Sequence, residues 1–260
     1  MLKNKVAVVT GSTSGIGLAI ARALAAQGAD IVLNGFGDAD AIEAIRTDLE
    51  SENDVRVIYD GADMSDGAAV RGLIASSVTA FGRVDILVNN AGIQHTAPID
   101  EFPTEKWDAI LAINLSAAFH GTAAALPHMK GQGWGRIVNI ASAHGLVASV
   151  NKVAYVAAKH GVIGVTKVAA LEAAGTGTTV NAVCPGWVRT PLVEKQITDL
   201  AQRTGQDQEA AAAELLGGKQ PSGAFVTTEQ IGGTVAFLCS PAADQITGAS
   251  ISVDGGWTAQ

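Results

Sequence analysis

The chain of 260 residues carries 17 Lys plus Arg against 25 Asp plus Glu, a formal net charge of −8. Its 48% apolar and 16% charged residues exclude a disordered chain, and the acidic balance without a basic run argues against nucleic acid and anionic membranes as partners. Two distant cysteines, Cys184 and Cys239, exclude a disulfide scaffold and suggest a reducing, cytoplasmic setting. The apolar runs read as shorter than the ~18 residues of a membrane span.

From the amino end, residues 6–10 form an apolar run that enters a glycine turn directly, so they read as a first strand rather than a leader. The turn, Thr10-Gly11-Ser12-Thr13-Ser14-Gly15-Ile16-Gly17, opens a helix over 15–27. Glycine suits this place for a tight turn, close approach to a pyrophosphate, and close helix–strand packing. The helix N-terminus then offers free N–H groups to phosphate. The spacing is GxxxGxG and not GxGxxG, so a plain βα turn also fits the glycines. Their place between a first strand and an amphipathic helix favours a cofactor cradle made by Gly11, Thr13, Ser14, Gly15, Ile16 and Gly17.

A second strand, 30–33, ends at Leu33-Asn34-Gly35-Phe36-Gly37. No carboxylate is there for a ribose, and no Arg or Lys for a 2′-phosphate. The missing cation counts more against NADP than the missing acid counts against NAD, because an unpaired phosphate is costly to desolvate. NAD is the expected cofactor, with Phe36 walling the adenosine. Helix 39–51 and strand 56–59 follow, then Asp63, which either accepts from an adenine amino group or caps its loop. Helix 67–81 and strand 86–89 lead to Asn90, Ala91 and Gly92, whose backbone can run beside a cofactor at a strand's carboxyl end.

Helix 104–130 holds Asn114 among apolar neighbours. That amide wants a partner, either a water linked to Lys159 or a helix-packing contact. Strand 137–141 delivers Ser142, and helix 153–173 carries Tyr155 and Lys159 four apart on one face. A tyrosine near its usual pKa of about 10 is a poor base, and a nearby cation stabilises its phenolate. The same spacing also suits an ordinary surface pair, but Ser142 lies one crossover away, where its hydroxyl can meet a substrate oxygen. Strand 179–183 runs into Pro185-Gly186, and helix 228–238 and strand 250–253 close the chain. Between them, 190–222 is too long for a turn; Leu192, Val193, Ile197 and Leu200, then Ala211, Leu215 and Leu216, suggest two short amphipathic helices forming a lid. Strand–helix alternation throughout implies parallel βαβ units, a doubly wound α/β sheet with helices on both faces, and one domain, 1–260, that includes the lid.

TGxxxGIG at 10–17, NNAG at 89–92, Asn114, Ser142, YxxxK at 155–159 and Pro185-Gly186 together resemble the short-chain dehydrogenase/reductase family across essentially the whole chain. The resemblance implies a seven-stranded Rossmann fold and a homotetramer. It implies Tyr155 as acid/base, Lys159 binding the nicotinamide ribose and lowering the phenol pKa, Ser142 orienting substrate, and Asn114 holding a relay water. It also implies that Pro185, Gly186, Val188 and Thr190 help hold the nicotinamide. Phe36 stands where NAD-using relatives usually carry Asp.

Gln94, His144, Lys152, Trp187, Gln196 and Trp257 can converge on the cleft above Tyr155, with donors and one charge suited to a small carboxylate. Lys152 also suits a solvated helix start, and His144 and Trp257 also suit packing. The runs NNAGIQHTAPI at 89–99 and ASAHGLVAS at 141–149 resemble the 3-hydroxybutyrate-oxidising members of the family. This implies reversible oxidation of (R)-3-hydroxybutyrate to acetoacetate with NAD, the carboxylate held by Gln94, His144, Lys152 and Gln196 and the pocket shaped by Trp187 and Trp257. Alternatives on the same scaffold are a 3-oxoacyl carrier-protein reductase, a polyol dehydrogenase and, in another class, a dinucleotide sensor without turnover. The five histidines form no HExxH pattern, and no catalytic metal is expected.

Overall fold

Seven short runs rich in β-branched residues become the parallel strands of one sheet in the computed structural model, which describes residues 1–259 apart from the side chain of Leu192. They are β1 (Val6–Val9), β2 (Asp30–Asn34), β3 (Val57–Asp60), β4 (Ile86–Asn89), β5 (Gly135–Ile140), β6 (Thr178–Pro185) and β7 (Ser250–Val253). The helices are α1 (Gly15–Ala25), α2 (Ala39–Asn53), α3 (Gly67–Phe81), α4 (Thr104–Leu111), α5 (Ala117–Gln132), α6 (Val153–Ala173), α7 (Pro191–Thr204), α8 (Gln208–Gly217) and α9 (Thr228–Leu238). The strand order is β3-β2-β1-β4-β5-β6-β7. The direction in which successive strands are added reverses between β1 and β4, and that switch opens a crevice at the carboxyl ends of the strands.

Each central strand is apolar on both sides, and alternate residues feed separate cores. Ala7, Val9, Ile31, Leu33, Ile86 and Val88 meet Ile20 and Leu24 of α1 and Ile231 and Val235 of α9. Val6, Val8, Val32, Leu87 and Ile137 face the other way, onto Leu73 and Ile74 of α3, Leu126 and Met129 of α5, and Ala169 and Ala173 of α6.

Two expectations need correction. The helix expected over 104–130 is interrupted by a π-helical turn, Ala112–Ser116, and runs on to Gln132. The stretch Thr104–Gln132 is also long and apolar enough, by length and composition, to cross a membrane. Asn114, Ser116 and His120 look like breaks in the apolar run, yet the alanines and leucines around them keep its mean hydropathy high. Here that stretch is a core helix, packed against α3, β4, β5 and α6.

Candidate active site

The expected site residues meet in one cleft of about 450 Å³ at the carboxyl end of the sheet. Every one of them lines it except Asn114, which lies behind it. On the dinucleotide side the glycine loop is fixed from below. Ser12 Oγ donates to Val9 O (2.7 Å), and Asn34 Oδ1 accepts from Gly11 N (3.2 Å). Asn90 donates from Nδ2 to the Thr10 and Gly11 carbonyls, and Thr10 Oγ1 accepts from the backbone of Asn90 and Ala91. Gly11 sits at φ +61°, and a Cβ on Gly17 would lie 2.2 Å from Gly11 O, so both positions require glycine. The N-terminus of α1 has no side-chain cap, which leaves its first N–H groups facing the cleft. This bare helix end and close-approach loop fit a pyrophosphate.

Thr13 Oγ1 donates to Phe36 O (3.0 Å) and holds the loop after β2, while the Phe36 ring is 67% exposed. Asp63 caps its own loop by accepting from Ser65 N (2.8 Å), which holds its carboxyl below the usual range. Lys152 and Lys159, both at the far end, are the only cations lining the cleft among the described residues.

The π turn places the Asn114 amide against the strand-four loop, where Oδ1 accepts from Ile93 N (2.8 Å) and Nδ2 donates to Ile93 O (2.9 Å). A separate cavity of about 10 Å³ between Asn114 and Lys159 has room for one water. Lys159 is buried and donates from Nζ to Ile140 O (2.7 Å), with burial pulling its ammonium down to about 8. The expected lowering of the Tyr155 phenol by Lys159 is not what the protein alone shows. Burial pushes that phenol up, and the opposing influence is the neighbouring Ser142 hydroxyl. The reason is geometric: Nζ is engaged with Ile140 and lies 5.6 Å from the Tyr155 ring centre.

His144 meets the Tyr155 ring edge-on at 5.9 Å and Trp257 at 4.9 Å, and Trp187 stacks on Trp257 at 6.2 Å. Burial, reinforced by Lys152 and Lys219, pulls His144 down to about 3, so the ring is neutral. Lys152 lies 4.9 Å over the Trp187 ring, and burial pulls it down to about 8. The Trp187 indole N–H is buried without a partner among the described residues. Helices α7 and α8 bury Val193, Ile197, Ala201 and Ala211 in a small core of their own and bring Gln196 to the cleft.

Sequence reasoning missed Ser149 and Lys219 as partners of this site. Lys219 donates to Ser149 Oγ, which lies 2.9 Å from His144 Nε2. A lone lysine in a Gly-Gly-Lys-Gln stretch, 70 residues from its contact, carries no local signal.

Residues 5–201 match the family model described as short chain dehydrogenase. The chain is 59% identical over 260 residues, all of both chains, to a D-beta-hydroxybutyrate dehydrogenase of Cupriavidus necator. It is 53% identical over 256 residues to one of Rhizobium meliloti, covering 98% of this chain and 99% of the relative. Among solved structures, L-sorbose reductase from Gluconobacter frateurii, complexed with NADPH and L-sorbose, superposes with a TM-score of 0.94 at 31% identity, covering 100% of this chain and 98% of that one. With a family model over most of its length and relatives matched end to end, the chain belongs to the short-chain dehydrogenase family.

Proposed function

We propose that the protein reversibly oxidises (R)-3-hydroxybutyrate to acetoacetate with NAD, working as one dinucleotide-binding domain with 190–222 as its lid. One observation carries the substrate. Lys152 stands at the start of α6, whose N-terminus has no side-chain cap and no acidic residue in its first turn. Lys152 lines the cleft beside Trp187, with no carboxylate paired to it among the described residues. A small carboxylate supplies the anion that this ammonium lacks. Gln94, Gln196 and His144 line the same cleft, and the two glutamines add neutral amide donors. With the carboxylate there, the C3 hydroxyl reaches Ser142 and Tyr155.

Tyr155 takes the hydroxyl proton, Ser142 steadies the oxygen, and Lys159 with the water cavity beside Asn114 carries the proton outward. NAD, when bound, supplies the hydride acceptor and a positive ring that favours phenolate. Gly11 to Gly17 would hold its pyrophosphate, and Asn90 to Gly92, Pro185, Gly186, Val188 and Thr190 its nicotinamide half. No cation lines the Phe36 end of the cleft among the described residues to pair a 2′-phosphate, which supports NAD over NADP.

Turnover of (R)-3-hydroxybutyrate, a 3-oxoacyl thioester and a sugar alcohol, each with NAD and with NADP, tests this reading. The highest kcat/KM is expected for hydroxybutyrate with NAD. Tyr155→Phe is expected to lose turnover by about 10³-fold while keeping NAD affinity. A Phe variant with most of its activity, or a preference for either other substrate, overturns the proposal.

The finer proposal of a homotetramer rests on exposed apolar side chains on both sides of the sheet. Phe119, Val168 and Leu171 are exposed on α5 and α6, and Phe237 is exposed on α9, on the opposite side of the sheet. Two self-pairing faces build a dimer of dimers. Sedimentation at micromolar concentration reads the state, and a monomer refutes it.

A further inference from the structure

We propose that Lys219, on the segment after α8, acts through Ser149, His144 and Ser142 to aim a hydrogen bond at the Tyr155 oxygen, so that seating of the lid prepares that oxygen to receive a proton. The inference rests on Tyr155 being the acid/base, as proposed above. Lys219 is a positioning residue: neither it nor Ser149 lines the cleft.

The direction of the chain follows from counting donors. An ammonium can only donate, and Lys219 Nζ donates to Ser149 Oγ. The Ser149 hydroxyl keeps one proton, and the other polar atom in reach is His144 Nε2 at 2.9 Å. The adjacent ammonium polarises that hydroxyl into a stronger donor, so Nε2 accepts. His144 is neutral and has one N–H, which then resides on Nδ1, 3.5 Å from Ser142 Oγ. Ser142 Oγ already accepts from the backbone N–H of His144 (3.1 Å). With both lone pairs engaged, its proton is left for oxygens in the cleft, where Tyr155 also lies, and a donor there opposes the effect of burial on the phenol. Each link points toward Tyr155, and a donor there favours phenolate.

Lys219 also lies 5.1 Å over the Trp257 ring, which fixes its stem when the lid is seated. Withdrawal of the lid removes the ammonium and frees Ser149 and His144 to reverse. Other charged groups around the chain do not reproduce this. Lys152 and His160 of α6 face His144 through space, Lys159 is engaged with Ile140, and Cys184 of β6, with Asp254 beyond it, lies behind Ser142.

The test is the pH profile of kcat for hydroxybutyrate oxidation at saturating NAD, in the full enzyme and in Lys219→Met, Lys219→Arg and Ser149→Ala. In Lys219→Met the acid limb is expected to move up by about one pH unit, a roughly tenfold loss on that limb, with KM changed less than about twofold. Ser149→Ala should give the same shift, the double variant no more, and Lys219→Arg should restore the limb. An unmoved limb in Lys219→Met overturns the proposal. So does a raised KM with an unmoved limb, which makes Lys219 a substrate contact. NAD affinity, read separately, confirms that each variant is folded. An unmoved limb with an inactive Tyr155→Phe removes this chain alone, whereas an active Tyr155→Phe removes the acid/base reading and this inference with it.

Discussion

At the amino-terminal end of the sheet the carboxylate of Asp85 is fully buried and receives four donors: Val6 N at 2.9 Å, Lys5 Nζ at 3.3 Å, and two Arg83 nitrogens at 2.6 Å. At the carboxyl-terminal end the ammonium of Lys159 is almost as hidden, and its hydrogen-bond partner is one neutral carbonyl. Lys152 likewise has no carboxylate among the described residues. A buried charge costs stability unless it is paired and hydrogen-bonded. The first arrangement ties β1 to β4 and raises the Arg83 pKa. The second depresses both lysines and leaves a positive end to the cleft that an anionic ligand would neutralise. Paired charge marks the frame of this molecule, and unpaired charge marks its chemistry.

Exchanging the two effects is the sharpest way to break that comparison. Lys159→Met is expected to cost turnover about 10²- to 10⁴-fold, with a Tm no lower than that of the parent. In the parent, the penalty of burying Lys159 is full below about pH 8 and fades as pH rises toward the ordinary lysine value of 10.5. Stability should therefore climb across that window, and less steeply in Lys159→Met. Asp85→Ala is expected to do the reverse, losing roughly 3 kcal/mol of stability with unchanged turnover per folded molecule. Denaturant unfolding and active-site-normalised rates check both. Equal destabilisation by the two variants would show that Lys159 belongs to the frame as well.

The strands and much of the site, though not the pairing of Asp85, were visible in the residue order. Continuous apolar runs such as Val6-Ala7-Val8-Val9 can be buried on both faces in few ways, so the strands and the doubly wound sheet were legible. The glycine loop was legible because a Cβ would collide there, and YxxxK because four residues make one helical turn. The π turn at Asn114 was not, since its cause is the pairing of one amide with the backbone of Ile93, 21 residues away. Asn34 was noted for lacking charge, whereas the fold uses it to tie Gly11 to the carbonyls of Asp60 and Ala62. The direction of the Tyr155 shift was also beyond sequence reasoning, because it depends on where Lys159 Nζ points.

A smaller effect sharpens the comparison at its substrate end. Burial is the larger cause and Lys219 the lesser in pulling Lys152 down to about 8. The group is charged below that value and neutral above it, so its attraction for a carboxylate is present at pH 7 and fades as pH passes about 8. KM for hydroxybutyrate should rise above pH 8 while KM for NAD stays level. Lys152→Ala should raise the hydroxybutyrate KM by about 10- to 100-fold at pH 7, the worth of a charge-assisted hydrogen bond, and should abolish the rise. Steady-state kinetics from pH 6 to 10 read both. A parallel rise in the two KM values would place Lys152 on the cofactor or the fold, and the unpaired charge at that end would then need another ligand.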